Sequence, residues 1–109
     1  MSEENILGRL DDVIVSRKGA PLGESYVAML LQGDESKVLK KIGEESVELV
    51  IAIRDKNKQS IIHEAADLWF HSLVALARHN ITGQEVLNEL NRRFGVSGYE
   101  EKESRSKNQ

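Results

Sequence analysis

The chain has one proline, Pro21, so from Leu22 to Gln109 no proline interrupts the backbone. Aromatic residues are 5% of the 109, which leaves little material for strands. The apolar residues recur instead at helical offsets. Ile6, Leu7, Leu10, Val13 and Ile14 line one face of a helix over about Glu4 to Arg17, stopped by Gly19 and Pro21. A short helix follows, capped by Ser25 and running through Tyr26, Val27, Met29, Leu30 and Leu31 to Gly33. Asp34 is the candidate cap of a long helix over Glu35 to Arg54, with Val38, Leu39, Ile42, Leu49, Val50 and Ile53 on one stripe. The polar run Asp55 to Gln59 reads as a connection. From about Ser60 to His79 the chain is apolar on nearly every side, which predicts a central helix. The last helix opens on a capping box, Thr82 to Glu85, with Ile81 and Val86 as a hydrophobic staple, and ends at Phe94 before Gly95.

Short connections make neighbouring helices antiparallel, so the expected fold is an all-α antiparallel bundle of four to five helices in one domain spanning residues 1–109. One chain of this length buries only about two thirds of its unfolded surface. The apolar circumference of the central helix therefore predicts completion by a second copy, a homodimer. Met1 to Asn5 lacks a basic segment feeding an apolar stretch, and no apolar run is long enough for a membrane span, so a cytoplasmic protein without membrane contact is expected. The absence of cysteine excludes disulfides, thiolate zinc sites and a cysteine nucleophile. Eighteen acids against fifteen bases, net −3, is the wrong sign for holding duplex nucleic acid by counterion release.

The acids fall in a pattern. At about 100° per residue Glu45 projects about 60° from Ile42, and Glu48 about 60° further, along the edge of the apolar stripe. Glu64 and Asp67 repeat the three-residue spacing inside the otherwise apolar next helix. One such pair is common on a solvated helix surface, whereas two pairs on consecutive antiparallel helices bring four carboxylates together, at a cost unless a cation or protons compensate. All-oxygen ligands select Mg²⁺, with Mn²⁺ as the alternative, and Mg²⁺ favours substrate phosphates as further ligands. Gly43 costs about 1 kcal/mol in mid-helix relative to Ala, so close packing or room for a ligand should offset it. Lys41 shares the shoulder of Glu45 and could neutralise a carboxylate or reach a phosphate. Glu44 could be a solvated residue, a supporting partner or a base. His71, one turn after Asp67, reads as a hydrogen-bonded core histidine rather than a ligand, and His63 and His79 as surface positions. No P-loop, dinucleotide fingerprint or nucleophilic serine motif is present.

The string Lys40-Lys41-Ile42-Gly43-Glu44-Glu45-Ser46-Val47-Glu48 followed by Glu64-Ala65-Ala66-Asp67 resembles the EExxE…ExxD signature of the all-α, MazG-like nucleoside triphosphate pyrophosphohydrolases. With Ser25-Tyr26-Val27-Ala28 and the more specific RxGxSGxxEK string of Arg93 to Lys102, the resemblance narrows to the phosphoribosyl-ATP pyrophosphohydrolases of histidine biosynthesis and covers about residues 5 to 105. Met29 and the Gln32 to Ser36 stretch depart from it. The resemblance implies a helical dimer that hydrolyses phosphoribosyl-ATP to phosphoribosyl-AMP and pyrophosphate with Mg²⁺. It implies Glu45, Glu48, Glu64 and Asp67 as metal ligands and Glu44 and Glu45 as catalytic candidates. Lys41, Arg93, Ser97, Gly98, Lys102 and Arg105 would grip the substrate's phosphates. Two other readings compete: a housekeeping hydrolase of noncanonical nucleotides, which would share the four acids without needing the tail string, and a non-catalytic helical dimerisation module whose acids are only a solvated face.

Overall fold

The computed structural model describes residues 6–95. Among them are five helices: α1 (Ile6–Ser16), α2 (Tyr26–Gln32), α3 (Glu35–Arg54), α4 (Lys58–Ala77) and α5 (Gly83–Phe94), with one 3-10 turn at Leu22–Glu24. The all-α expectation holds. α3 and α4 form the principal pair, α2 packs across both, α1 lies against α4, and α5 packs on α1.

Short polar residues start four of these helices. Ser25 Oγ accepts from Ala28 N–H, the Asp34 carboxylate from Ser36 N–H and the Asn57 amide oxygen from Ser60 N–H. Thr82 and Glu85 make the reciprocal capping box expected of them. Each such cap is worth about 1 kcal/mol. Asn57 begins α4 two residues before the position read from sequence, so Lys58 and Gln59 are helical rather than linking. The reversal between α3 and α4 is correspondingly tight and places Lys56 at φ 60°.

The core is small: Ile14, Leu30, Val38 and Val74 are fully buried, joined by Leu31, Leu73 and Ala77. Burying each large side chain contributes about 1.5–3 kcal/mol. The α3 stripe differs from expectation. Val38, Glu45 and Ala52, seven residues apart, face inward, whereas Leu39, Val50 and Ile53 are exposed, so the apolar residues of α3 divide between two faces. Ile62 and Trp69, also seven apart on α4, are exposed as well.

Three polar side chains tie the helices together where backbone groups would otherwise lack partners. Arg78 Nη1 donates to the carbonyls of Leu30, Leu31 and Gly33 at 2.8–2.9 Å, closing the end of α2. Gln32 Nε2 donates to Lys18 O at 3.0 Å and Ala20 O at 2.6 Å beyond α1. The buried Asp11 carboxylate of α1 accepts from Gly83 N–H at 2.7 Å and Gln84 N–H at 3.1 Å, the free amides that open α5. The approach is close: a Cβ on Gly83 would lie 2.7 Å from Leu73 Cδ2 and 3.1 Å from Asp11 Oδ1, so these side chains would have to shift to admit one. The two departures from the family pattern also have structural jobs. Met29 packs against the core, and within the 32–36 stretch Gln32 makes these bonds, Asp34 caps α3 and Glu35 meets His79 at 2.6 Å. Among the described residues no helix is long and apolar enough to cross a membrane.

Candidate active site

Antiparallel packing of α3 on α4 brings Glu48 of the first acidic pair against Glu64 of the second. Glu48 projects from α3, exposed, and its carboxylate meets that of Glu64 on α4. Glu64 is half-buried, and its Oε2 is fully buried without a hydrogen-bond partner among the described residues. Asp67 follows one turn later. His63, read from sequence as a surface position, is exposed but turns its Nε2 to 3.2 Å from Asp67 Oδ2. One ligand atom from each of His63, Glu64 and Asp67 falls within a 4.8 Å cluster. The i,i+4 spacing of His63 and Asp67 was the available signal for this neighbour. A cleft of about 380 Å³ opens beside the acids, lined by Glu48, Ile51, Asp55, Asn57, Ser60 and Glu64.

Glu45 lies differently from the edge position inferred for it. It is buried on the inner face of α3, where its Oε1 meets His71 Nδ1 at 2.7 Å. His71 is thus a buried, hydrogen-bonded histidine, as its setting suggested. Glu44 and Lys41 are exposed on α3. Among the described residues a Cβ on Gly43 would meet nothing within 4 Å, so packing against them is not what the glycine serves. Arg93 is engaged by Glu89 at 2.7 Å on α5, and the two arginines, Arg92 first and then Arg93, lower the Glu89 pKa to about 2. Ser97, Gly98, Lys102 and Arg105 lie outside the described residues.

The electrostatics favour a cation. The hydrogen bond that protonated Glu64 can donate to the Glu48 carboxylate raises the Glu64 pKa above its ordinary 4.5; burial and the Glu48 charge add to the rise, and His63 opposes it. Either a proton or a positive ion can relieve this pair. The donor set suits a divalent ion: carboxylate oxygens dominate, one of them buried and unpartnered, with a single imidazole at the rim. Such a set fits Mg²⁺ or Mn²⁺ better than a soft metal.

A stability consequence follows. Because the folded pKa of Glu64 is raised, the folded state holds its proton over a window above 4.5 where the unfolded state has lost it, so stability falls as pH rises through that window. Glu64→Gln should therefore raise the melting temperature of the metal-free protein at neutral pH, with the gain vanishing as pH is lowered toward 4.5. Thermal melts in EDTA across pH check this; equal melts at all pH values would mean that the two acids do not interact.

A family profile described as phosphoribosyl-ATP pyrophosphohydrolase matches residues 7–94. The chain belongs to the phosphoribosyl-ATP pyrophosphohydrolase family. Among its relatives, the phosphoribosyl-ATP pyrophosphatase of Nitrosomonas eutropha is 54% identical over 108 residues, covering 99% of this chain and 92% of that protein. That of Nitrosospira multiformis is 50% identical over 96% of this chain and 87% of its own length, and that of Neisseria gonorrhoeae 43% identical over 94% and 96%. The Nitrosomonas match leaves almost none of this chain out, so the 93–102 string lies inside it. Membership in the phosphoribosyl-ATP pyrophosphohydrolase family thus rests on the whole chain rather than on the acidic signature alone.

Proposed function

We propose that this chain, acting as a single domain over residues 1–109, hydrolyses phosphoribosyl-ATP to phosphoribosyl-AMP and pyrophosphate, the second step of histidine biosynthesis, in the cytoplasm. The observation that carries the site assignment is the meeting of Glu48 with Glu64 and its buried, unpartnered oxygen, beside Asp67, in a member of this family. Glu45, Glu48, Glu64 and Asp67 would hold Mg²⁺, with Mn²⁺ as the alternative. The chemistry supplied by the bound ion is polarisation of phosphate oxygens and compensation of the charge that develops on the departing pyrophosphate.

The protein's own groups do the rest. Glu44, exposed one residue before Glu45, orients a water for in-line attack on phosphorus and takes up its proton as the new P–O bond forms and the bond to pyrophosphate breaks. Lys41 and Arg93 grip phosphates together with Ser97, Gly98, Lys102 and Arg105, the Ser97 and Gly98 amides forming a small anion nest. For Arg93 this means exchanging Glu89 for a phosphate.

A homodimer belongs to the same reading. Leu39, Val47 and Val50 are exposed on α3 within an arc of about 80° that also contains Gly43, and Ile62 and Trp69 are exposed on α4. A second copy would cover these apolar side chains, and Gly43 would allow its close approach.

The deciding experiment measures pyrophosphate release from phosphoribosyl-ATP by purified protein with and without Mg²⁺. We expect turnover with the ion and its loss in EDTA. Cleavage of simple deoxynucleoside triphosphates with phosphoribosyl-ATP ignored would instead favour a housekeeping hydrolase, and no cleavage of either would favour a dimerisation module.

A further inference from the structure

The proposed reaction leaves unexplained a polar chain that runs from the half-exposed Tyr26 to the buried His71 and Glu45. Tyr26 Oη on α2 lies 2.9 Å from His71 Nε2 on α4, and His71 Nδ1 lies 2.7 Å from Glu45 Oε1 on α3. The Nδ1 atom is also 3.0 Å from Asp67 O. Both neighbours of Nδ1 are acceptors, so Nδ1 carries a hydrogen and donates to them. In the neutral ring Nε2 is then the acceptor for the Tyr26 hydroxyl. Phe70 and Tyr26 meet the imidazole edge-on, at centroid distances of 5.1 and 5.9 Å, which fixes the ring plane as well as its bonds.

A carboxylate between Val38 and Ala52 on the inner face of α3 is costly, and an apolar residue there would be at least as stable. What this arrangement supplies is orientation: His71 clamps Glu45 at Oε1, one turn from Glu48. Polar groups behind a metal-binding carboxylate act in this way, fixing its direction.

We propose that Tyr26 and His71 are positioning residues for the divalent-ion site, holding the Glu45 carboxylate through a relay that begins on α2. The inference rests on the metal reading of the acidic cluster given above, and it makes α2, which carries none of the four acids, a determinant of ion affinity.

The test is Mn²⁺ binding by the full-length protein, followed by the paramagnetic resonance of the free ion, alongside thermal melts. His71→Leu should weaken Mn²⁺ binding about tenfold to a hundredfold. His71→Asn keeps an N–H donor for Glu45 but loses the link to Tyr26, and Tyr26→Phe loses the same link from the other side. These two should therefore match each other, at about threefold to tenfold weaker binding. Tyr26 is 48% exposed, so its variant retains the fold even if His71→Leu does not. A purely structural role would lower the melting temperatures of the variants and leave Mn²⁺ affinity at the wild-type value, which would overturn the relay alone. Failure of the wild type to bind Mn²⁺ would overturn the metal reading and the relay with it.

Discussion

Glu48→Gln and Asp67→Asn should each reduce pyrophosphate release from phosphoribosyl-ATP at least about a hundredfold, equivalent to about 2.7 kcal/mol of transition-state stabilisation. Neither substitution removes a core contact. Glu48 is exposed and Asp67 half-buried, and both replacements keep shape and helix propensity while deleting one negative charge. Under the proposed metal-binding role the loss would fall on ion binding, and the variants should melt at or above the wild-type temperature without Mg²⁺. Steady-state rates at saturating Mg²⁺, with melts in parallel, separate the two effects. Rates within threefold of wild type would mean that the carboxylates are an ordinary solvated face.

Arg78→Ala should cost about 2–3 kcal/mol of folding stability, because hydrogen bonds from a charged donor are worth about 1.5–3 kcal/mol and their loss strands carbonyls at the end of α2. Three carbonyls from Leu30, Leu31 and Gly33 converge on one nitrogen, and Arg78 Nε lies 3.7 Å from Glu35 Oε2. The side chain is 18% exposed, so water replaces little of this. A lysine offers a point charge without the planar fork and should recover only part of the loss. Urea unfolding checks the prediction, and a cost under about 0.5 kcal/mol would place Arg78 among ordinary surface residues.

The caps of α2, α3 and α5 were legible because their signals are local: Ser25, Asp34 and the Thr82–Glu85 box each act within three residues of themselves. Asn57 was hidden in a polar run whose composition looks like a loop. The acidic pairs were legible as spacing, and the contact of Glu48 with Glu64 follows from antiparallel packing of two consecutive helices. Glu45 was misplaced for a different reason. Helical periodicity assigns an acid to the rim of an apolar stripe, and the partner that allows it to turn inward, His71, sits 26 residues away on another helix. Arg78 is hidden in the same way, since its three carbonyl partners lie 45–48 residues upstream and no sequence window contains both ends. Likewise, α3 carries apolar residues on two faces, and only packing decides which one α4 covers.

The bond from Asp11 to the opening amides of α5 spans 72–73 residues of chain. It latches α1 onto the start of α5, the helix that carries Arg93. Shortening the protein from its front end would thus unfasten its rear, and α5 would lose its anchorage although none of its own residues had been touched.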